Sequence, residues 1–290
     1  MPGVPNVMAA LKRGMASGVL YAGYPYAHNQ WLVTGGSVSA PNFGSRVDSL
    51  ADLFRIMEPG DVAMIGPGFY DEPGLVIPEG LNNITLIGAG SRGSVGLEVG
   101  GVGEEGLTVL ADDVTLINFG CSAPGDFSLK IGNTTVSPAR FRASGCKFEG
   151  NETVNPGAQV IFQGSGDCIL DDCEIAWGVN GILGNSNNDG FPTQTLIRNC
   201  WFHDLTTVHV GVAGVAHWIE LWLQDNRFDR DEAGVAPTDF LLLSDNANIG
   251  SITGNRFANA TNQAAVITIG TGLLYMANAT EAGWSTARPA

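Results

Sequence analysis

Five ten-residue stretches decide the fold. FRASGCKFEG (141–150), CILDDCEIAW (168–177), TLIRNCWFHD (195–204), LWLQDNRFDR (221–230) and GSITGNRFAN (250–259) align without a gap. A sixth, LINFGCSAPG (116–125), is set beside them on its cysteine. One small polar column then reads Cys121, Cys146, Cys173, Cys200, Asn226, Asn255, at steps of 25, 27, 27, 26 and 29 residues. Two residues later, Phe148, Ile175, Phe202, Phe228 and Phe257 form an apolar core column, with Ala123 ahead of them. Three residues before the polar column runs a second apolar column of Ala143, Leu170, Ile197, Leu223 and Ile252.

A fixed period of this length marks a repeat architecture. The Leu-x-x-Leu-x-Leu spacing of leucine-rich repeats is absent. Helical repeats are longer, and Gly, 40 of the 290 residues here, costs roughly 1 kcal/mol at each helix-interior position. The expectation is an all-β chain, a right-handed parallel β-helix in which each coil bonds to the next at about 4.8 Å and like residues stack into ladders. Stacked Asn side chains bond along such a column, and Cys is a small buried alternative.

The N-terminal half supports this reading. VDSLADLFRIM (47–57) has helical spacing, Glu58-Pro59-Gly60-Asp61 follows, and then comes VAMIGPGFYDEPGLVIPEGLNNITLIGAG (62–90). This order of helix, PGD, strand, PG-x-Y, strand and ITLIG-x-G resembles the opening of proteins of the pectin-lyase-like superfamily. The resemblance implies a right-handed parallel β-helix with a short N-terminal capping helix over its core. On it the chain divides into an arm, residues 1–45, with a short helix at 7–15, a β-helix, 46–271, and a C-terminal cap or clamp, 272–290.

Charge and cysteine usage narrow the function classes. The net charge of −15 disfavours nucleic acid and anionic lipid as partners. No apolar run reaches the 18 residues of a membrane span. No apolar stretch follows Lys12 and Arg13, so no signal peptide is expected, and the five cysteines are read as free thiols made in a reducing compartment. No zinc-ligand spacing appears, no cofactor motif survives inspection, and no metal or cofactor is expected. Gly88-Ala89-Gly90-Ser91-Arg92-Gly93 matches G-x-G-x-x-G, but SVGLEVGG after it cannot be a helix, so it reads as a glycine-rich turn. His203-Asp204 reads as a solvated turn pair.

Carboxylates are the serious catalytic candidates. Asp172 and Asp225 share the column before the ladder, with Asn199 between them, which places them about 9.6 Å apart, near the upper limit for an inverting glycosidase. Glu174, Trp201, Arg227 and Arg256 form an outward column, and Trp201 and Trp222 are the candidate sugar platforms. The acids near Asp171 make a poor calcium cage, because Arg198, Asn199 and Trp201 occupy those columns on the next coil. The main reading is therefore a non-enzymatic structural protein. The chain resembles the trimeric β-helical spike and decoration proteins of tailed bacteriophages, a resemblance that implies a virion protein made in a host cytoplasm, with residues 1–45 joining it to capsid or tail proteins. The alternative is a tailspike depolymerase acting on a host surface polysaccharide by hydrolysis or elimination. A secreted pectate-lyase-like enzyme is the second alternative. Trp177, Trp201 and Trp222 supply the motive for a homotrimer interface.

Overall fold

The computed structural model describes residues 30–33, 45–47, 49–101, 103–150, 157–188, 190–229, 237–257, 267–280 and 283–285. Its strands wind into a parallel β-helix built on an eleven-stranded and a sixteen-stranded sheet. The larger sheet bends. Its two long strands, Glu174–Asn185 and Trp201–Val212, run through the bend, so the solenoid presents three faces. The first face is the smaller sheet. The second face carries Lys147–Glu149 and the starts of the two long strands. The third carries Phe127–Ile131, Ala158–Gln163 and their ends.

The turn from first to second face explains the repeat. Gly145, Asp172, Asn199, Asp225 and Gly254 all have positive φ there, between 53° and 69°. Gly, Asn and Asp tolerate this left-handed conformation best, so the chain reverses sharply at one point in every coil. The next residue then points inward. Cys146, Cys173, Cys200, Asn226 and Asn255 are all buried in this position. The ladder continues to Asn278, whose side-chain oxygen accepts the Asn255 N–H at 3.0 Å.

The two apolar columns fall on the inward sides of the first and second faces. Phe148 pairs with Ile175, Ile175 with Phe202, Phe202 with Phe228 and Phe228 with Phe257. The last three rings stack at centroid distances of 4.7 and 4.8 Å. The first-face column runs Ala143, Leu170, Ile197, Leu223, Ile252 and on to Tyr275.

Cys121 does not belong to the ladder. It pairs with Phe148 and so heads the phenylalanine column, while Gly120 pairs with Lys147. The segment 116–125 therefore aligns two residues away from the register chosen on its cysteine, with Leu116 opposite Ala143. Cys121 is buried apolar filling. The boundaries also move. Gln30–Val33 pairs in parallel with Val62–Ile65, so the first face begins inside the expected arm. At the other end Leu273–Met276 adds a further parallel strand, and Gly283–Ser285 folds back antiparallel on Asn278–Thr280. The helix expected at 7–15, and most of 1–45, lie outside the described residues.

The capping helix is Leu50–Ile56. Ser49 accepts the Asp52 N–H, and the Glu72 carboxylate accepts the N–H groups of Leu50 and Ala51 at 2.7 and 2.8 Å. These side chains satisfy donors that the first helical turn leaves open. Leu50, Leu53 and Phe54 are buried in the core cluster, which is how a solenoid end is closed.

The GAGSRG stretch is a turn. A Cβ on Gly88 would lie 2.1 Å from the Asn118 carbonyl oxygen, and strand Val95–Glu98 follows where a phosphate-binding helix would have to start. The turn carries Arg92 out to Asp172, 2.6 Å away. Asp172 follows Asp171, which lies three rungs beyond Ile87 on the first face.

Candidate functional site

Outward side chains of the second face flank the phenylalanine column on both sides. One flank runs Lys147, Glu174, Trp201, Arg227, Arg256, and the other runs Glu149, Ala176, His203. A one-residue alternation brings the two flanks onto one surface. Lys147, Glu149, Glu174 and His203 thus meet although 56 positions of chain separate the first from the last.

They form a continuous chain of contacts. Lys147 Nζ lies 2.6 Å from Glu149 Oε2 and 3.5 Å from Glu174 Oε1. His203 Nε2 lies 3.4 Å from Glu174 Oε1, and His203 Nδ1 lies 2.5 Å from Asp204 Oδ2. Exposure falls inward along this chain, from 29% for the Glu149 side chain to 18% for Glu174, 10% for His203 and 5% for Asp204. The outer carboxylate meets solvent and the inner one is enclosed.

The protonation states follow from the contacts. Burial alone would push the His203 imidazole down, but its bonds to Glu174 and Asp204 and their charges outweigh burial and hold it above its ordinary value. The His203 hydrogen bond, helped by Lys147 and opposed by burial, holds Glu174 below the usual carboxylate range. A carboxylate stands at each ring nitrogen, an arrangement that favours the protonated ring.

Two tryptophans frame this group. Trp177 has φ of 54°, at the bend between second and third faces, and its ring meets His203 edge-on at 6.5 Å. Trp201 stacks on His203 at 3.9 Å, carries the Arg227 guanidinium 5.1 Å from its centroid, and donates its indole N–H to Asp229 at 2.7 Å. The His203 ring and the Arg227 guanidinium already use the Trp201 ring, so it braces the site more than it offers a free platform.

The sequence candidates fall elsewhere. Asp172 and Asp225 both stand in the left-handed turn column, and the Asp172 carboxylate is engaged by Arg92. Trp222 sits on the first face, paired between Leu196 and Ser251, so Trp201 and Trp222 do not share a surface. Asp171 is taken by Arg198 at 2.8 Å and Asn199 at 3.0 Å. His203 and Asp204 are buried, against the expectation of a solvated pair, because the strand continues through them to Val212. Lys147 and Glu149 were missed as site residues. Laying out the columns on either side of Phe148, Ile175 and Phe202 would have found them. Among the described residues no group of three or more His, Cys, Asp or Glu is arranged to hold a metal ion.

No protein-family model matches the chain, and no curated protein matches it. Solved structures do. Pectin methylesterase PemA from Erwinia chrysanthemi superposes with a TM-score of 0.60 at 12% identity, over 91% of this chain and 92% of that one. Pectate lyase Pel9A gives 0.62 at 11% identity, over 88% and 69%. Pectin methylesterase from carrot gives 0.59 at 11%, over 92% and 86%. At these identities the likeness is one of fold, a parallel β-helix.

Proposed function

We propose that the chain degrades a polysaccharide, using the outward patch of the second face. The observation that carries this reading is the contact chain Glu149–Lys147–Glu174–His203–Asp204 set between Trp177 and Trp201. Lys147 bridges the carboxylates of Glu149 and Glu174, at 2.6 and 3.5 Å. Glu174 is kept ionised and serves as base or nucleophile. His203 is kept protonated beside it and serves as proton donor, with Asp204 fixing its ring. Perturbed, half-buried acids and bases in contact are what acid–base chemistry requires. The neighbours in fold support the same class, since their names are those of enzymes acting on pectin.

The test is release of reducing ends, unsaturated sugars or methanol from a panel of plant, microbial and capsular polysaccharides. Glu174→Gln and His203→Gln are expected to abolish the release, while Asp172→Asn with Asp225→Asn leaves it within a few-fold. Loss on the second pair, with the first two active, would move the site to the turn column.

A second reading, the non-enzymatic virion spike joined through residues 1–45 to capsid or tail proteins, has one observation in its favour. Each charge in the patch is already neutralised by a neighbour, as in a structural ion-pair network. A wild-type chain that releases nothing from the panel and is found on assembled particles would establish that reading instead.

A further inference from the structure

Past the contact chain, the second face carries two guanidiniums side by side. Its first flank runs Glu174, Trp201, Arg227, Arg256 on four successive strands. Arg227 and Arg256 stand directly opposite one another, and both are exposed. Like charges facing each other across strands destabilise a sheet. The chain has 14 Lys and Arg against 29 Asp and Glu, so the fold has no need to set two of its few cations on neighbouring rungs. Arg227 is held in place. Its guanidinium lies 5.1 Å from the Trp201 centroid, and its Nε lies 2.5 Å from Asp229 Oδ2, which also accepts the Trp201 indole N–H. That leaves its terminal nitrogens without an ion-pair partner among the described residues, and Arg256 has none there at all. Asp229 neutralises one of the two guanidiniums, so the trio keeps one positive charge.

We propose that Arg227 and Arg256 form a subsite for a singly charged oxyanion carried by a glycan: a carboxylate, a sulfate ester or a phosphodiester. A guanidinium presents its donors in a planar fork that matches an oxyanion, and two forks side by side hold it through separate oxygens. One uncompensated charge calls for a singly charged group. The column follows the solenoid axis, with Arg227 two rungs and Arg256 three rungs from Glu174, about 10 and 14 Å away. A glycan laid along the column with one sugar at Glu174 and His203 therefore brings a neighbouring sugar over the pair. Ala279 follows Arg256 in the column and, being small, leaves the guanidinium open on that side. A glycan is favoured over a nucleic acid, whose dense phosphates the net charge of −15 repels. The placing of the glycan rests on the proposed use of the second face, whereas the charge of the subsite does not.

The experiment is affinity electrophoresis of the full chain in gels holding polygalacturonate, a sulfated galactan, a glycerol phosphate teichoic acid or neutral dextran. At least one of the three anionic polymers is expected to retard the chain more than dextran does, and less as salt rises. Arg256→Gln should weaken that binding by about tenfold, the loss of one charged hydrogen bond. Arg256→Lys, which keeps the charge without the fork, should recover part of it. Arg142→Gln removes the same charge from the outward side of the first face and should leave binding unchanged. The urea midpoint of Arg256→Gln should equal or exceed that of wild type, since the facing charges are relieved. Retardation by none of the three anionic polymers would overturn the proposal. So would equal weakening by Arg142→Gln, or a lower urea midpoint for Arg256→Gln, which would make the residue a structural one. Binding that is lost on Arg256→Gln, with no polymer cleaved by wild type, would end the activity proposed above and leave the subsite. Cleavage of dextran with no anionic polymer bound would do the reverse.

Discussion

Replacing Asn226 tests whether the amide ladder holds the coils together. Its side-chain oxygen accepts the Cys200 N–H at 2.9 Å. Its amide donates to the Ile197 carbonyl at 2.9 Å and to Asn255 Oδ1 at 3.0 Å. The residue is 1% exposed, so water replaces none of these bonds. Asn226→Ala leaves one backbone donor and one backbone acceptor buried without a partner, each at about 1–3 kcal/mol, for a loss near 4 kcal/mol. At roughly 2–3 °C per kcal/mol for a chain of this length, the melting midpoint should fall by about 8–12 °C. Asn226→Cys is the informative companion, because three earlier coils carry Cys at this position. The thiol of Cys200 reaches the Leu170 carbonyl at 3.7 Å, the counterpart of the amide bond to Ile197, but it is a weak donor. Asn226→Cys should therefore cost about half as much as Asn226→Ala. Cys200→Asn, which extends the ladder by one rung, should lie within about 1 kcal/mol of wild type or above it. Urea denaturation followed by far-ultraviolet circular dichroism reads all three. An Asn226→Ala midpoint within about 0.5 kcal/mol of wild type would show that the ladder is geometric and not energetic.

Phe202→Ala should cost about 3–5 kcal/mol, since the ring is fully buried and stacked on Phe228; an unchanged denaturation midpoint would refute its place in the core. His209 is buried against Phe202, Phe228 and Phe240, and burial pushes its imidazole down to about 3. A depressed histidine favours folding while neutral, so stability should fall as pH drops from about 6.5 toward 3, by on the order of 2 kcal/mol at pH 5, and His209→Phe should flatten that slope. His203 has the opposite sign. Its raised value gives stability that is full below the ordinary imidazole range and is lost as pH rises through the folded value, and His203→Gln should remove that alkaline loss in thermal melts across pH 6 to 9. All five cysteines are free and buried, and burial pushes the Cys168 thiol up to about 12, so a thiol reagent should count none in the native chain and five after denaturation without reductant.

Most of the fold was legible because the sharp turn imposes a residue type. Gly145, Asp172, Asn199, Asp225 and Gly254 advertise a left-handed backbone, and the residues around each must then repeat their directions. The reading slipped at Cys121, where residue identity was followed in place of turn chemistry. Asn118 carries the positive φ in that coil, which puts Phe119, not Cys121, opposite Cys146. The site was less legible. Asp172 and Asp225 looked paired because they share a column, but a turn position aims a carboxylate along the ridge, toward Arg92 in one case. Glu149, Glu174 and His203 lie on alternate sides of an inward column, and their meeting depends on long side chains crossing between rungs. A single-column reading does not contain that.

The Arg92 arm alters how the N-terminal coils come apart. A stack in which each coil touches its neighbours alone behaves as a one-dimensional chain, able to fray coil by coil from an end. The arm leaves the chain near Gly88 and closes on Asp172, three rungs away, so the intervening coils are spanned by one ion pair. Peeling back the first of them breaks that pair as well, an added cost of about 0–1 kcal/mol for a contact this exposed. The pair is a light clasp across the coils from Ile87 to Asp171, which include Lys147 and Glu149, and it sets fraying there slightly against the coil-by-coil pattern.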